Sequence, residues 1–155
     1  MSNAQILLVI GQVYTRQKDF ERALNVITDA WELFDMNHGK SSEQVGNCFL
    51  EMASIHNKKK DFAEAINFQQ KALQVFSELE KFSNTEFLAA ISITLAEHQE
   101  KAEQNEAALE SLKQAKQILE ENYSAMDKRT CKVKRNISLL YLKLNKYNEA
   151  LEELK

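Results

Sequence analysis

Proline is absent from the 155 residues, and glycine occurs only three times. These residues punctuate tight hairpins and sheet turns, so their scarcity excludes an architecture of many short strands. Cysteine is almost as rare. Cys48 and Cys131 lie 83 residues apart, with no CxxC pair and no neighbouring histidine, which excludes a zinc site or dithiol redox motif and predicts two buried, reduced thiols in an intracellular compartment. The longest purely apolar run, Ile6 to Ile10, falls far short of the roughly 20 residues of a membrane helix, and no secretory signal precedes it. No membrane partner is expected. Charge of one sign is also missing: 20 basic and 23 acidic residues leave a net charge of -3, unlike the positive field of a typical nucleic-acid binder. Any electrostatic recognition must be local.

What is abundant is Ala, Leu, Glu, Lys and Gln, all strong helix formers, within a chain that is 44% hydrophobic and long enough for one buried core. An all-α protein is predicted. The stretch KKKDFAEAI (Lys58 to Ile66) has counterparts in RQKDFERAL (Arg16 to Leu24), KAEQNEAAL (Lys101 to Leu109) and KLNKYNEAL (Lys143 to Leu151), at successive offsets of 42, 43 and 42. An Ala-Leu or Ala-Ile pair recurs at one fixed place. Such a period is the signature of a repeat architecture, here about four repeats at roughly 2–38, 40–81, 84–123 and 126–155 of a single domain, 1–155.

Each repeat reads as two helices. Apolar or small residues recur at helical spacing in the first, as in Leu7, Ile10, Gly11 and Tyr14, then Phe49, Met52, Ala53 and His56. Phe20, Ala23, Ile27 and Ala30 begin the second helix of repeat one, and Phe62, Ala65, Gln69 and Ala72 that of repeat two. Alanines at fixed places let paired helices approach closely. Asp61, with Glu64 three residues on, has capping-box spacing, and Asp19 is a similar N-cap. The three lysines of KKKDFAEAI therefore belong to a turn, with Lys59 and Lys60 dispensable. Lys58 belongs instead to a row with Arg16, Lys101 and Lys143, one cation near the end of each first helix.

This pattern resembles the tetratricopeptide repeat (TPR) family, most closely in LLVIGQVYTRQKDFERALNVITDA (Leu7 to Ala30). The third repeat departs from it, with Asn105 in place of the turn aromatic and Gln99 in place of the tyrosine. The family's usual repeat is 34 residues, so the longer period here is similar to that of kinesin light chains. The DKRT linker is also similar to that of some cilium-associated members. The resemblance implies a right-handed superhelical solenoid of antiparallel helix pairs, and a non-enzymatic protein-interaction scaffold or adaptor without a cofactor. A cytoplasmic location follows, with a cytoskeletal or ciliary association.

In that family the first helices line a concave groove for a peptide or helix of a partner protein. Carried over, the groove positions are Gln12 and Arg16 in repeat one, and Asn47, Leu50, Glu51, Ser54, Asn57 and Lys58 in repeat two. Repeat three contributes Thr94, Glu97 and Lys101, and repeat four Lys132, Arg135, Asn136, Leu139 and Lys143. Asparagine suits such a groove because its amide can bond both the N–H and the C=O of an extended ligand; the alternative is ordinary solvated surface. The subfamily that clamps chaperone carboxylates uses Lys, Asn and Arg at places that hold Leu8, Gln12, Glu51, Ala90 and Thr94 here, so that mechanism is not expected.

From the residues alone, Lys128, Lys132 and Arg135 share one helix face at i, i+4 and i+7 and would suit an acidic partner, unless they pair with Glu97 and Glu100. No aromatic interleaves this strip, which opposes nucleic-acid binding. His38, His56 and His98 lack ligand spacing or a carboxylate companion, and no HExxH, GxSxG or phosphate-binding glycine loop occurs, so neither catalysis nor a metal is expected. The chain opens inside a first helix and stops inside a second, with no polar capping helix, and Lys134 stands where a bulky apolar residue is usual. That predicts either a piece of a longer protein or ends that meet something, for example another copy through Tyr141, Leu144, Tyr147 and Leu151. The alternative function is thus a structural repeat segment that self-associates.

Overall fold

A computed structural model describes all 155 residues and contains eight α-helices and no strand. The first helices of the four repeats are α1 (Asn3–Arg16), α3 (Glu43–Lys58), α5 (Glu86–Lys101) and α7 (Lys128–Lys143). Each pairs with the helix that follows it: α2 (Phe20–His38), α4 (Phe62–Glu78), α6 (Asn105–Asn122) and α8 (Tyr147–Leu154). The all-helical repeat is therefore as the period predicts. The helices form two compact units, Met1–Lys81 and Phe82–Lys155, each containing two helix pairs.

The period is written into the backbone of the turns. Lys18, Lys60, Glu103 and Asn145 occupy equivalent places and all adopt a left-handed conformation, with φ of 63, 63, 60 and 58°. In each turn the next amide reaches back to the carbonyl of the same repeat position, from Asp19 to Tyr14, Asp61 to His56, Gln104 to Gln99 and Lys146 to Tyr141. This closes the first helix by a six-to-one bond and turns the chain straight into the second. The place of Lys60 is held by Glu103 and Asn145 in later repeats, so the turn does not demand a lysine there, while Lys59 Nζ lies 3.4 Å from Glu21 Oε1. Asp19 and Asp61 cap α2 and α4 as expected, accepting from the amides of Arg22 and Glu64. The reciprocal capping box forms at Ser2 and Gln5 instead.

Ala23, Ala65, Ala108 and Ala150, one per second helix, are all buried. They let the paired helices touch along the backbone, and Gly11 carries this furthest: a Cβ there would lie 2.4 Å from Ile27 Cγ1. In the first unit Ile27, Phe34, Met52 and Ile55 share a core, and in the second Leu112, Leu119, Ile137 and Leu140 do. The departures of repeat three are compensated locally. Ser111 Oγ donates to Gln99 Oε1 at 2.7 Å, so the glutamine that replaces tyrosine is satisfied within its own helix pair.

Two expectations about side chains are corrected. Cys48 is buried, and desolvation pushes its thiol up to about 12, but Cys131 is exposed. The equivalents of Cys131 in the earlier repeats, Ala4, Gly46 and Ala89, are buried. His56 does have a carboxylate companion, since its Nδ1 lies 3.5 Å from Asp61 Oδ2 while its ring stacks on Phe68. No helix is long and apolar enough to cross a membrane.

Candidate functional site

All the predicted groove residues lie on first helices, and none is fully buried. In the first unit Gln12 and Arg16 come from α1, and Asn47, Leu50, Glu51, Ser54, Asn57 and Lys58 from α3. Gln12 Nε2 donates to Glu51 Oε1 at 2.8 Å, which ties the two helices together across this face. Glu51 is thereby committed to a neighbour, while Arg16 and Lys58 remain exposed at the helix ends.

In the second unit α5 carries Thr94, Glu97 and Lys101, and α7 carries Lys132, Arg135, Asn136, Leu139 and Lys143. Lys132 and Asn136 meet in a cleft. It has a volume of about 150 Å³, an apolar floor of Ala89, Ala90, Ile93, Leu119 and Val133, and a polar rim that includes Glu86 and Arg129. Pockets for small molecules are typically ~300–1,000 Å³, so this one is the size of a side-chain socket, not a cofactor site. Thr94, Glu97, Lys101, Arg135, Leu139 and Lys143 lie outside it.

The rim is organised around Glu86. Its Oε2 accepts from Tyr123 Oη at 2.9 Å and pairs with Arg129 Nη1 at 3.2 Å, and the Arg129 guanidinium sits 4.0 Å from the centre of the Tyr123 ring. The hydrogen bond to Glu86 holds the phenol proton and raises the Tyr123 pKa. Arg129 also reaches Asp127 Oδ1 at 3.4 Å, so its charge is balanced locally. Lys143, at the far end of α7, pairs with Glu100 at 2.9 Å. The pairing of Lys128, Lys132 and Arg135 with Glu97 and Glu100 weighed from the sequence is thus not what forms, and these three cations face solvent.

Sequence reasoning missed Ala90, Ile93, Glu86 and Arg129. The repeat register could have found the first two, because Ala90 stands where Asn47 and Lys132 do and Ile93 where Leu50 and Arg135 do. Glu86 and Arg129 belong to the helix starts, outside the groove positions carried over from the family. No cluster of three His, Cys, Asp or Glu residues could hold a metal ion.

The tetratricopeptide repeat family model matches residues 2–78 and 44–121. No curated protein sequence matches the chain significantly. Among solved structures, the chain is similar to BtubC (BKLC) from P. vanneervenii, with a TM-score of 0.81 at 16% identity over 97% of this chain and 60% of that one. It is also similar to kinesin light chain-type, nearly identical TPR-like repeats of Podosopora anserina, with a TM-score of 0.77 at 14% identity over 99% of this chain and 73% of that one. A Rap protein complexed with competence and sporulation factor gives 0.64 at 18% identity, over 97% of this chain and 40% of that one. The chain thus spans less than two thirds of the length of two of these structures, 60% and 40%.

Proposed function

Because this chain belongs to the tetratricopeptide repeat family, a fold that generally serves protein–protein interaction, we propose that the α5–α7 face of its second unit binds an extended or helical segment of a partner protein. The segment seats one apolar side chain in the cleft and sets acidic residues beside it. The observation that carries this reading is the pairing of an apolar floor with Lys132, an exposed cation whose helix spends its ion pairs elsewhere. Asn136 at the same rim offers both a donor and an acceptor to a peptide backbone. An acidic ligand answers the local charge, and burial of its anchor supplies the non-directional part of the affinity. The Rap complex supports the reading only by analogy of fold. The role is that of an adaptor, with no catalytic step.

Peptides selected from a random display library on the intact protein test this, with affinities read by fluorescence anisotropy. The expected consensus is an apolar residue flanked by Asp or Glu. Lys132→Glu should weaken the selected peptides at least tenfold, about 1.4 kcal/mol, and Ala90→Trp, which fills the cleft, should abolish binding with helicity unchanged. Peptides that bind both variants like the parent would exclude this face.

A further inference from the structure

A second cleft lies within the first unit, where the last turns of α2 and the linker that follows meet α3 and α4, and none of the predicted groove residues lines it. It has a volume of about 290 Å³, with Trp31, Phe49 and Val75 as apolar walls and Asp35 among them. That is room for one long side chain, just below the ~300–1,000 Å³ of small-molecule pockets. Trp31, Phe49 and Phe68 form a row of tilted rings with centres 6.0 and 6.1 Å apart. Lys71 of α4 lays its ammonium over this row, 5.0 Å from the centre of Phe68 and 5.9 Å from that of Phe49. The rings are thus arranged to hold a cation.

Asp35 supplies an acceptor that Lys71 does not use. Its Oδ1 is shielded from solvent and has no hydrogen-bond partner, which costs stability. Its place in the last turn of α2 adds to that cost, because the negative end of the helix dipole lies there. The fold itself does not call for this arrangement. In the second unit the places of Trp31, Phe49 and Phe68 hold Lys116, Lys134 and Glu153, and Lys116 and Glu153 make an ion pair at 2.7 Å. The places equivalent to Asp35 hold Ser77 and Glu120, both exposed. The other charges of the cleft are engaged or hydrated. Glu78 accepts from Ser41 Oγ at 3.1 Å and from Gln74 Nε2 at 3.3 Å, while Lys40 and Lys71 are exposed to water. Asp35 is therefore the charge in this cleft that water screens least and no neighbour answers.

We propose that this cleft binds an arginine side chain presented by a partner protein, with the guanidinium stacked on Trp31 and Phe49 and donating to the Asp35 carboxylate. Arginine meets both demands at once. Its planar, weakly hydrated cation stacks on aromatic faces and donates from a fixed fork to a carboxylate, whereas the point charge of a lysine is already represented here by Lys71. The site belongs to the first unit and does not rest on the reading of the α5–α7 face.

Trp31 is the one tryptophan in the chain, so its fluorescence reports on the cleft directly. The probes are heptapeptides selected on the intact protein from a library with arginine fixed at the centre and random flanks. They should shift the Trp31 emission, and replacing the arginine by citrulline, which keeps the shape and removes the charge, should weaken them about tenfold or more. Asp35→Asn should cost the arginine peptides a similar factor with circular dichroism unchanged, and Lys132→Glu should leave their affinity as it is. Should Asp35→Asn fail to fold, the citrulline comparison on the unaltered protein decides. The proposal is overturned if no selected peptide shifts the emission, if citrulline peptides bind like their arginine parents, or if Lys132→Glu abolishes binding. Peptides that bind more tightly with aspartate at the centre would also overturn it, and would assign the cleft to an anion held by Lys40 and Lys71.

Discussion

Gly11 and Ile27 show how one residue pair sets the spacing of a repeat. The places equivalent to Gly11 hold Ala53, Ala96 and Ser138, so a Cβ is tolerated in the other three helix pairs. What differs is the residue opposite: Gln69 and Leu112 are unbranched at Cβ, whereas Ile27 directs Cγ1 at the glycine. Gly11→Ala gains about 1 kcal/mol of helix propensity but meets an overpacking cost of about 1–3 kcal/mol against a fully buried neighbour. A net loss is expected in urea unfolding, and Ile27→Leu in the same chain should recover part of it, giving a positive coupling energy. Additive losses would show that the close approach is not the cause. The motif was legible as a glycine in the family pattern, but the reason for it was not, because it depends on a side chain 16 positions away.

At the scale of the element, α5 is the helix that fits its pattern least. Its buried face includes Ser92, His98 and Gln99 among leucine, isoleucine and alanine. Gln99 finds Ser111, and Ser92 Oγ donates to the carbonyl of Leu88. His98, 3% exposed, has no hydrogen-bond partner for either ring nitrogen. Desolvation, helped by the positive charge of Lys101, lowers its pKa below the ordinary value of 6.5. The folded state thus binds this proton less readily than the unfolded chain does. Stability is held above pH 6.5 and is lost as pH falls through the lowered folded value. The same place holds Ile55 in α3 and Leu140 in α7, so His98→Leu should fit. It should raise stability at neutral pH by about 1 kcal/mol, since a buried unsatisfied polar group costs ~1–3 kcal/mol. It should also flatten the decline between pH 7 and pH 5 in thermal melts. A variant with an unchanged acid limb would show that His98 is not what titrates. The sequence offers His98 no ligand partner; its burial follows from its register, which places it in line with two core residues, Ile55 and Leu140.

At the scale of the molecule, stability is divided between two units, each with its own core, and falls toward α8. That helix has 8 residues and one buried side chain, Ala150, against 18 residues in α6. It is held also by the Lys116–Glu153 pair at 2.7 Å, the least exposed ion pair in the second unit. Repeat proteins gain stability from nearest-neighbour contacts, and local opening follows contact density. Hydrogen exchange should therefore release the amides of α8 first and those of α3, α4 and α6 last. Lys116→Ala should speed α8 further while leaving α3 and α4 unaffected. Exchange of α8 as slow as that of α6 would contradict this gradient.

The sequence by itself determined the secondary structure, the repeat length and the register. These rest on local chemistry, namely alanine at the helix contacts, a cap or turn residue at each corner, and the absence of proline, all of which recur at one interval. It also placed the candidate groove residues on first helices. The tertiary structure alone decided which of them come together. Lys132 and Asn136 share a cleft with Ala90 and Ile93, whereas Lys143 is taken by Glu100 and Glu51 by Gln12. It likewise left Cys131 exposed and hid His98. Periodicity specifies which face a residue occupies; burial and ion pairing depend on which residues of a different helix meet that face, and those partners lie 12 to 43 positions away in the chain.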